Sequence, residues 1–139
     1  MNANNENNEN KIILVVEDEQ SIIDMLTMDL CDKGYTVVIA TDGLDALAKL
    51  ETVTPDLILC DVKMEPLDGI AFVYELDRLG KHGLYKIIMM TAWGDIRANE
   101  ISELLREGCI SDAAIKPFSY IISLYDKIDT LTHQEEKED

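Results

Sequence analysis

Two kinds of segment alternate along the chain. The first is a short, uninterrupted apolar run, found at residues 12–16, 36–40, 57–60, 86–90 and, more weakly, 113–115. These runs lack the alternation of a half-exposed strand and predict strands covered on both faces. The second kind is longer and amphipathic. Ile22, Ile23, Leu26 and Leu30 form one stripe, and Leu44, Leu47 and Leu50 a second. Ile70, Val73 and Leu76 form a third, and Ile101, Leu104 and Leu105 a fourth. Phe118, Ile121, Ile122, Tyr125 and Ile128 form the last. All fit helical spacing, and Gly34, Gly80 and Gly108 stand where three of the helices should stop. The order is βαβαβαβαβα. It predicts an α/β fold: a doubly wound, five-stranded parallel sheet with right-handed crossovers and helices on both faces. Ligands of such sheets bind beyond the carboxyl ends of the strands.

Those strand ends carry the candidate chemistry. Glu17, Asp18 and Glu19 follow the first strand, Asp61 the third, Thr91 and Ala92 the fourth, and Lys116 and Pro117 the fifth. The fold brings all four ends to one edge. Carboxylates crowded there repel by roughly 4 kcal/mol per pair at 4 Å and an effective dielectric near 20. A divalent cation relieves that repulsion, and all-oxygen ligation suits Mg²⁺. A carboxylate beside such an ion can attack a phosphoryl group to give an aspartyl phosphate. A lysine neutralises the phosphoryl oxygens and a threonine hydroxyl can bond one of them.

Composition narrows the setting. The chain has 139 residues, one domain's worth, of which 47% are hydrophobic and 29% charged. Its net charge of −16 argues against nucleic acid and anionic membrane as partners. No apolar run approaches the ~20 residues of a membrane span, and the Asn- and Glu-rich start is no signal peptide. Cys31, Cys60 and Cys109 are widely spaced and odd in number, so neither a zinc pattern nor a disulfide set is expected. A reduced, cytoplasmic protein follows. Residues 1–10 are expected to be a disordered tail, 11–132 the folded domain and 133–139 an acidic tail.

Four short motifs, in order, carry a family resemblance over about residues 11–132. They are Val16-Glu17-Asp18-Glu19; Asp61-Val62-Lys63-Met64 with Leu67-Asp68-Gly69; Thr91-Ala92; and Lys116-Pro117-Phe118. The chain resembles the response-regulator receiver domains of two-component signalling, close to the single-domain chemotaxis type. The resemblance implies a flavodoxin-like strand order 2-1-3-4-5 and Asp61 as phosphoacceptor. It implies Mg²⁺ held by Asp18, Asp61 and the Lys63 backbone carbonyl, with Glu17 acting directly or through water. It further implies Thr91 and Lys116 as partners of the phosphoryl group and a cis Lys116–Pro117 bond. The implied donor is a sensor histidine kinase or phosphotransfer protein, and the output surface lies around the fourth helix, fifth strand and fifth helix. Because the chain ends with that helix, a separate effector protein is expected. Such a switch catalyses its own phosphoryl acceptance and loss without being a turnover enzyme.

Some positions depart from the family pattern. Ala113 replaces the usual Tyr or Phe three residues before the lysine, and Glu65 stands where Pro commonly follows Met64. Two other functions compete with the switch. A phosphorylation-independent binding module is favoured by Ala113 and opposed by Asp18, Asp61, Thr91 and Lys116. An aspartyl-phosphate phosphohydrolase would want a second aspartate where Lys63 stands. Single residues also have plainer readings. Asp18 and Glu19 suit a helix start, Cys60 a small core residue, Met89 and Met90 strand core, and His82 and His133 the surface. Trp93, beside the expected site, is read as a shield over the phosphoryl group.

Overall fold

The computed structural model describes residues 8, 10–92, 97–116 and 121–134. Among the described residues, strands β1 (Ile12–Val16), β2 (Thr36–Ala40), β3 (Leu57–Asp61), β4 (Ile87–Ala92) and β5 (Asp112–Lys116) alternate with five helices. These are α1 (Gln20–Asp32), α2 (Gly43–Lys49), α3 (Gly69–Arg78), α4 (Ala98–Arg106) and α5 (Ile121–Thr132). The strands form one parallel sheet in the order β2-β1-β3-β4-β5. All five apolar runs fall in strands, although Lys86 precedes β4, and three of the strands continue one or two residues beyond their run. Each of these extensions adds a charged or polar residue at a strand end, which an apolar run cannot reveal.

Successive strand residues point to opposite faces, and both faces are covered. Leu14, Val16, Ile58, Cys60, Ile87 and Met89 pack with Ala46 of α2, Phe72 and Leu76 of α3, and Ile101 and Leu104 of α4. Ile13, Val15, Leu57, Leu59, Ile88 and Met90 pack with Leu26 and Leu30 of α1 and Leu124 and Ile128 of α5. Continuous apolar runs are what this two-sided burial requires. Gly34, Gly80 and Gly108 have φ of 98°, 80° and 79°, the left-handed conformation that closes a helix.

Three helical stripes are narrower than their spacing implies. Leu44 is 53% exposed and Ile122 is 74% exposed, and Leu105 also faces out. Leu44 and Leu50 are six residues apart and so diverge by about 120° around the helix. Ala46, Leu47 and Leu50 face the sheet instead. In α5 the buried set is Leu124, Tyr125 and Ile128, with Ile122 on the far side. Asn8, within the segment expected to be a tail, is buried, and its side-chain amide donates to the Lys33 carbonyl at 2.6 Å. It also bonds the His133 ring.

The segment after β3 is fixed by close backbone approach. Val62 N–H donates to Met90 O at 3.0 Å and Gly69 N–H to Val62 O at 2.9 Å. A Cβ on Gly69 would lie 2.1 Å from the Asp61 carbonyl oxygen, and one on Gly43 would lie 2.7 Å from the Leu67 carbonyl oxygen. Both neighbours are backbone and cannot rotate away. Gly69→Ala should therefore destabilise the protein by about 1–3 kcal/mol, the usual cost of overpacking. Urea unfolding should show it as a lower midpoint with an unchanged slope.

Candidate functional site

The sheet order sets β1 beside β3, with β4 and β5 following, so the carboxyl ends of all four share one edge. Glu17 leaves β1 there and is fully buried, and Asp61 ends β3 at 7% exposure. Lys116, the last residue of β5, reaches across β4 to both. Its Nζ lies 2.8 Å from Glu17 Oε1 and 3.1 Å from Asp61 Oδ1. The other Glu17 oxygen, Oε2, accepts the backbone N–H groups of Asp18 at 3.1 Å and Glu19 at 3.2 Å. A buried carboxylate is tolerated when paired and hydrogen-bonded in this way. Asp18 is exposed, and one carboxylate oxygen each from Glu17, Asp18 and Asp61 lie within 4.8 Å of one another.

This crowding shifts the titration of the group at its centre. Burial first, then the Glu17 charge, pushes the Asp61 carboxyl from 3.8 up to about 6; Lys116 pulls the other way and Asp18 adds a further upward push. For Lys116 burial acts downward, but the hydrogen bond to Glu17 and the charges of Asp61 and Glu17 outweigh it. The ammonium is held above its ordinary value. The donors are all oxygen and carry more negative charge than one ammonium neutralises, which fits a small hard dication.

The remaining predicted residues lie around this centre. Thr91 is half-buried near the end of β4, in register with Ile115, and the next residue, Ala92, pairs with Lys116. Its hydroxyl lies 3.5 Å from the Ala92 carbonyl oxygen. Lys63 is exposed, two residues past Asp61. Ala113 is half-buried opposite Met89 and packs on the core, so a methyl group occupies the position where the family carries a ring. The Glu65–Pro66 bond is cis. The expected cis bond at Lys116–Pro117, together with Trp93 and Phe118, lies outside the described residues.

The plainer readings divide. Glu19 does stand at the start of α1, but its side chain makes no bond to the helix backbone. The buried Glu17 receives the backbone N–H groups instead. Cys60 is core, its thiol pushed well up by burial and then by Asp61, Glu17 and Asp68. One contact was not legible in the sequence. Asp68 Oδ1 accepts the Ala71 N–H at 2.8 Å and caps α3, while Oδ2 takes Arg97 Nη1 at 2.7 Å. Arg97 also grips Glu100 through Nε and Nη2, at 3.1 and 3.2 Å. The start of α4 is thus tied to the loop that follows Asp61. No spacing rule links residues 29 positions apart; only the capping role of an aspartate before Gly69 could have drawn attention to Asp68.

Two stability effects of opposite sign follow. Lys116→Met strands the buried Glu17 and should cost about 3–5 kcal/mol. Asp61 behaves differently, because its folded carboxyl binds a proton more tightly than the unfolded one. The stability it contributes is complete below about pH 4 and is lost as pH rises through about 6. Metal-free Asp61→Asn should lack that loss. Urea midpoints across this range check both variants.

The comparisons with known proteins fall on these same elements. The family described as response regulator receiver domain matches residues 13–123. The chain is 41% identical over 111 residues to the alkaline phosphatase synthesis transcriptional regulatory protein PhoP of Bacillus subtilis, which covers 79% of this chain and 44% of that protein. It is 43% identical over 109 residues to the probable transcriptional regulator ycf27 of Cyanophora paradoxa, covering 78% and 43% respectively. The chain therefore spans less than half the length of these curated relatives. Among solved structures, the receiver domain of the Francisella response regulator 1452 superposes with a TM-score of 0.76 at 29% identity, over 88% of this chain and 97% of that one. Response regulator protein TrrA from Thermotoga maritima, solved in complex with Mg(2+)-BeF, gives 0.73 at 30% identity, over 87% and 98%. With its family match, strand order and carboxyl-edge cluster in agreement, the chain belongs to the response-regulator receiver family.

Proposed function

We propose that this chain is a phosphorylation-dependent signalling switch whose acceptor is Asp61. The observation that carries this is the Lys116 ammonium lying between Glu17 and Asp61, with Asp18 inside the same cluster. Receiver domains interact with histidine kinases or phosphotransfer proteins. A phosphohistidine on such a partner is the donor, and the reaction takes place in the cytoplasm. Residues 11–132 form the receiver unit. The response is a changed protein-contact surface around α4, β5 and α5.

Asp18, Asp61 and the Lys63 backbone carbonyl would hold Mg²⁺. When bound, the ion offsets the carboxylate repulsion and draws charge from the phosphoryl oxygens. Both Glu17 oxygens already have protein donors, so Glu17 acts through water and by holding Lys116 in place. An ionised Asp61 oxygen attacks phosphorus. The nitrogen–phosphorus bond breaks, its electron pair stays on the donor imidazole, and an acyl phosphate forms. Lys116 keeps its bond to Glu17 and turns its remaining protons from Asp61 to the phosphoryl group. The Thr91 hydroxyl donates to a second phosphoryl oxygen. Water later attacks the same phosphorus, returning free Asp61 and inorganic phosphate. The domain thereby catalyses both its own acceptance and its own reset.

A phosphorylation-independent binding module is favoured by one observation, the methyl of Ala113 where a ring would move. Acetyl phosphate separates the two readings. Wild type should become labelled only with a divalent cation, and Asp61→Asn should not. Persistent stoichiometric labelling of the variant would overturn the assignment. Mg²⁺ should also raise the melting temperature of wild type, since a ligand at 100 times its Kd adds about 2.7 kcal/mol. Asp18→Ala should lose that Mg²⁺-dependent rise, which thermal scans with and without the ion would detect.

A further inference from the structure

A guanidinium joins the acceptor loop to α4. Arg97 stands directly before α4 and engages two carboxylates at once. Its Nη1 donates to Asp68 Oδ2 at 2.7 Å. Its Nε and Nη2 donate to the two oxygens of Glu100, in the first turn of α4, at 3.1 and 3.2 Å. The Arg97 and Asp68 side chains are only 30% and 29% exposed. Their charge-assisted bond is thus partly shielded from water and stronger than that of a surface pair.

The two ends of this contact are held by different elements. Asp68 is a fixed post. Its Oδ1 accepts the Ala71 N–H at 2.8 Å, the Gly69 N–H donates to Val62 O at 2.9 Å, and the Val62 N–H donates to Met90 O at 3.0 Å. The loop from Asp61 to Asp68 is thereby locked to α3 and β4. Arg97 belongs to α4, where its carbonyl accepts the Ile101 N–H at 3.2 Å. A bond already at 2.7 Å can only weaken when α4 shifts against the loop, whichever way it moves. Glu100 travels with α4 and keeps the guanidinium paired after such a shift, so no half-buried charge is stranded. Arg97 therefore has two seats, one on the acceptor loop and one on its own helix. The methyl of Ala113 supplies no ring to carry a change from the site to α4, and Arg97 offers another route.

We propose that the Arg97–Asp68 pair is a brake on the switch. It holds α4 in its resting position against the Asp61 loop, and phosphorylation leaves Arg97 on Glu100 alone. This rests on Asp61 being the acceptor and on α4 taking part in the response. Coupling of this kind is reciprocal, so whatever loosens the pair favours the phosphoryl-bound form.

Beryllofluoride, an unreactive stand-in for the phosphoryl group, titrated calorimetrically into the full chain at saturating Mg²⁺, tests this together with amide hydrogen exchange. Asp68→Asn keeps the α3 cap, since asparagine also accepts the Ala71 N–H, and should tighten beryllofluoride binding about threefold to fivefold. Arg97→Gln changes the local charge in the opposite direction yet should tighten binding by a similar factor, and the double variant should tighten it no further. Glu100→Gln, which removes the second seat, should weaken it. Exchange at the Ile101 amide should speed up in Asp68→Asn, and in wild type on adding beryllofluoride, while α3 exchanges as before in Asp68→Asn. Effects of opposite sign in Asp68→Asn and Arg97→Gln, no effect in either, or tighter binding in Glu100→Gln would overturn the brake and leave Asp61 as acceptor. A wild type that binds no beryllofluoride and takes no label from acetyl phosphate would instead overturn the acceptor reading, and the brake with it.

Discussion

A carboxylate with no exposed surface sits at the centre of this protein, and the rest of the carboxyl edge is arranged around it. Glu17 is stable there because one oxygen meets Lys116 and the other meets two backbone N–H groups. Removing a partner from such a group is far more damaging than never having buried it. This constraint explains why Lys116 must end β5 and extend over β4, and why β1, β3 and β5 must finish at the same level. It also couples the fold to the site. The lysine that completes the buried pair is the one that reaches the Asp61 carboxylate.

The balance at this edge is deliberately incomplete in electrostatic terms. Three carboxylates face one ammonium. Burial, reinforced by the excess negative charge, raises Asp61 toward neutrality and lowers the stability of the metal-free protein. A site with charges fully matched would be more stable but would have little use for a dication.

Much of this was legible in the sequence because it depends on local pattern. Strands buried on both faces must be apolar throughout, and four of the five runs were long enough to be unambiguous. Asp61 stood out because a carboxylate directly after four buried residues is costly without a purpose. What escaped notice depends on three-dimensional closure. Leu44 and Ile122 fit a helical spacing but fall on the wrong side of their helices. The anchoring of Glu17 involves backbone donors that no side-chain motif encodes. Arg97 and Asp68, or His82 and Cys109, meet only after the chain has wound around the sheet.

The two glycines that flank the loop after Asp61 have a consequence for how this protein can diversify. Gly43 presses on the Leu67 carbonyl from one side and Gly69 on the Asp61 carbonyl from the other, each too close to admit a methyl group. Val62 and Met64 within the loop are buried. Lys63, Glu65 and Pro66 face outward. Change within this loop that leaves the packing intact is therefore channelled into three adjacent outward positions. The loop's outer surface can vary there while the Asp61 backbone stays where it is, so that a change of surface and a change at the buried cluster are separable.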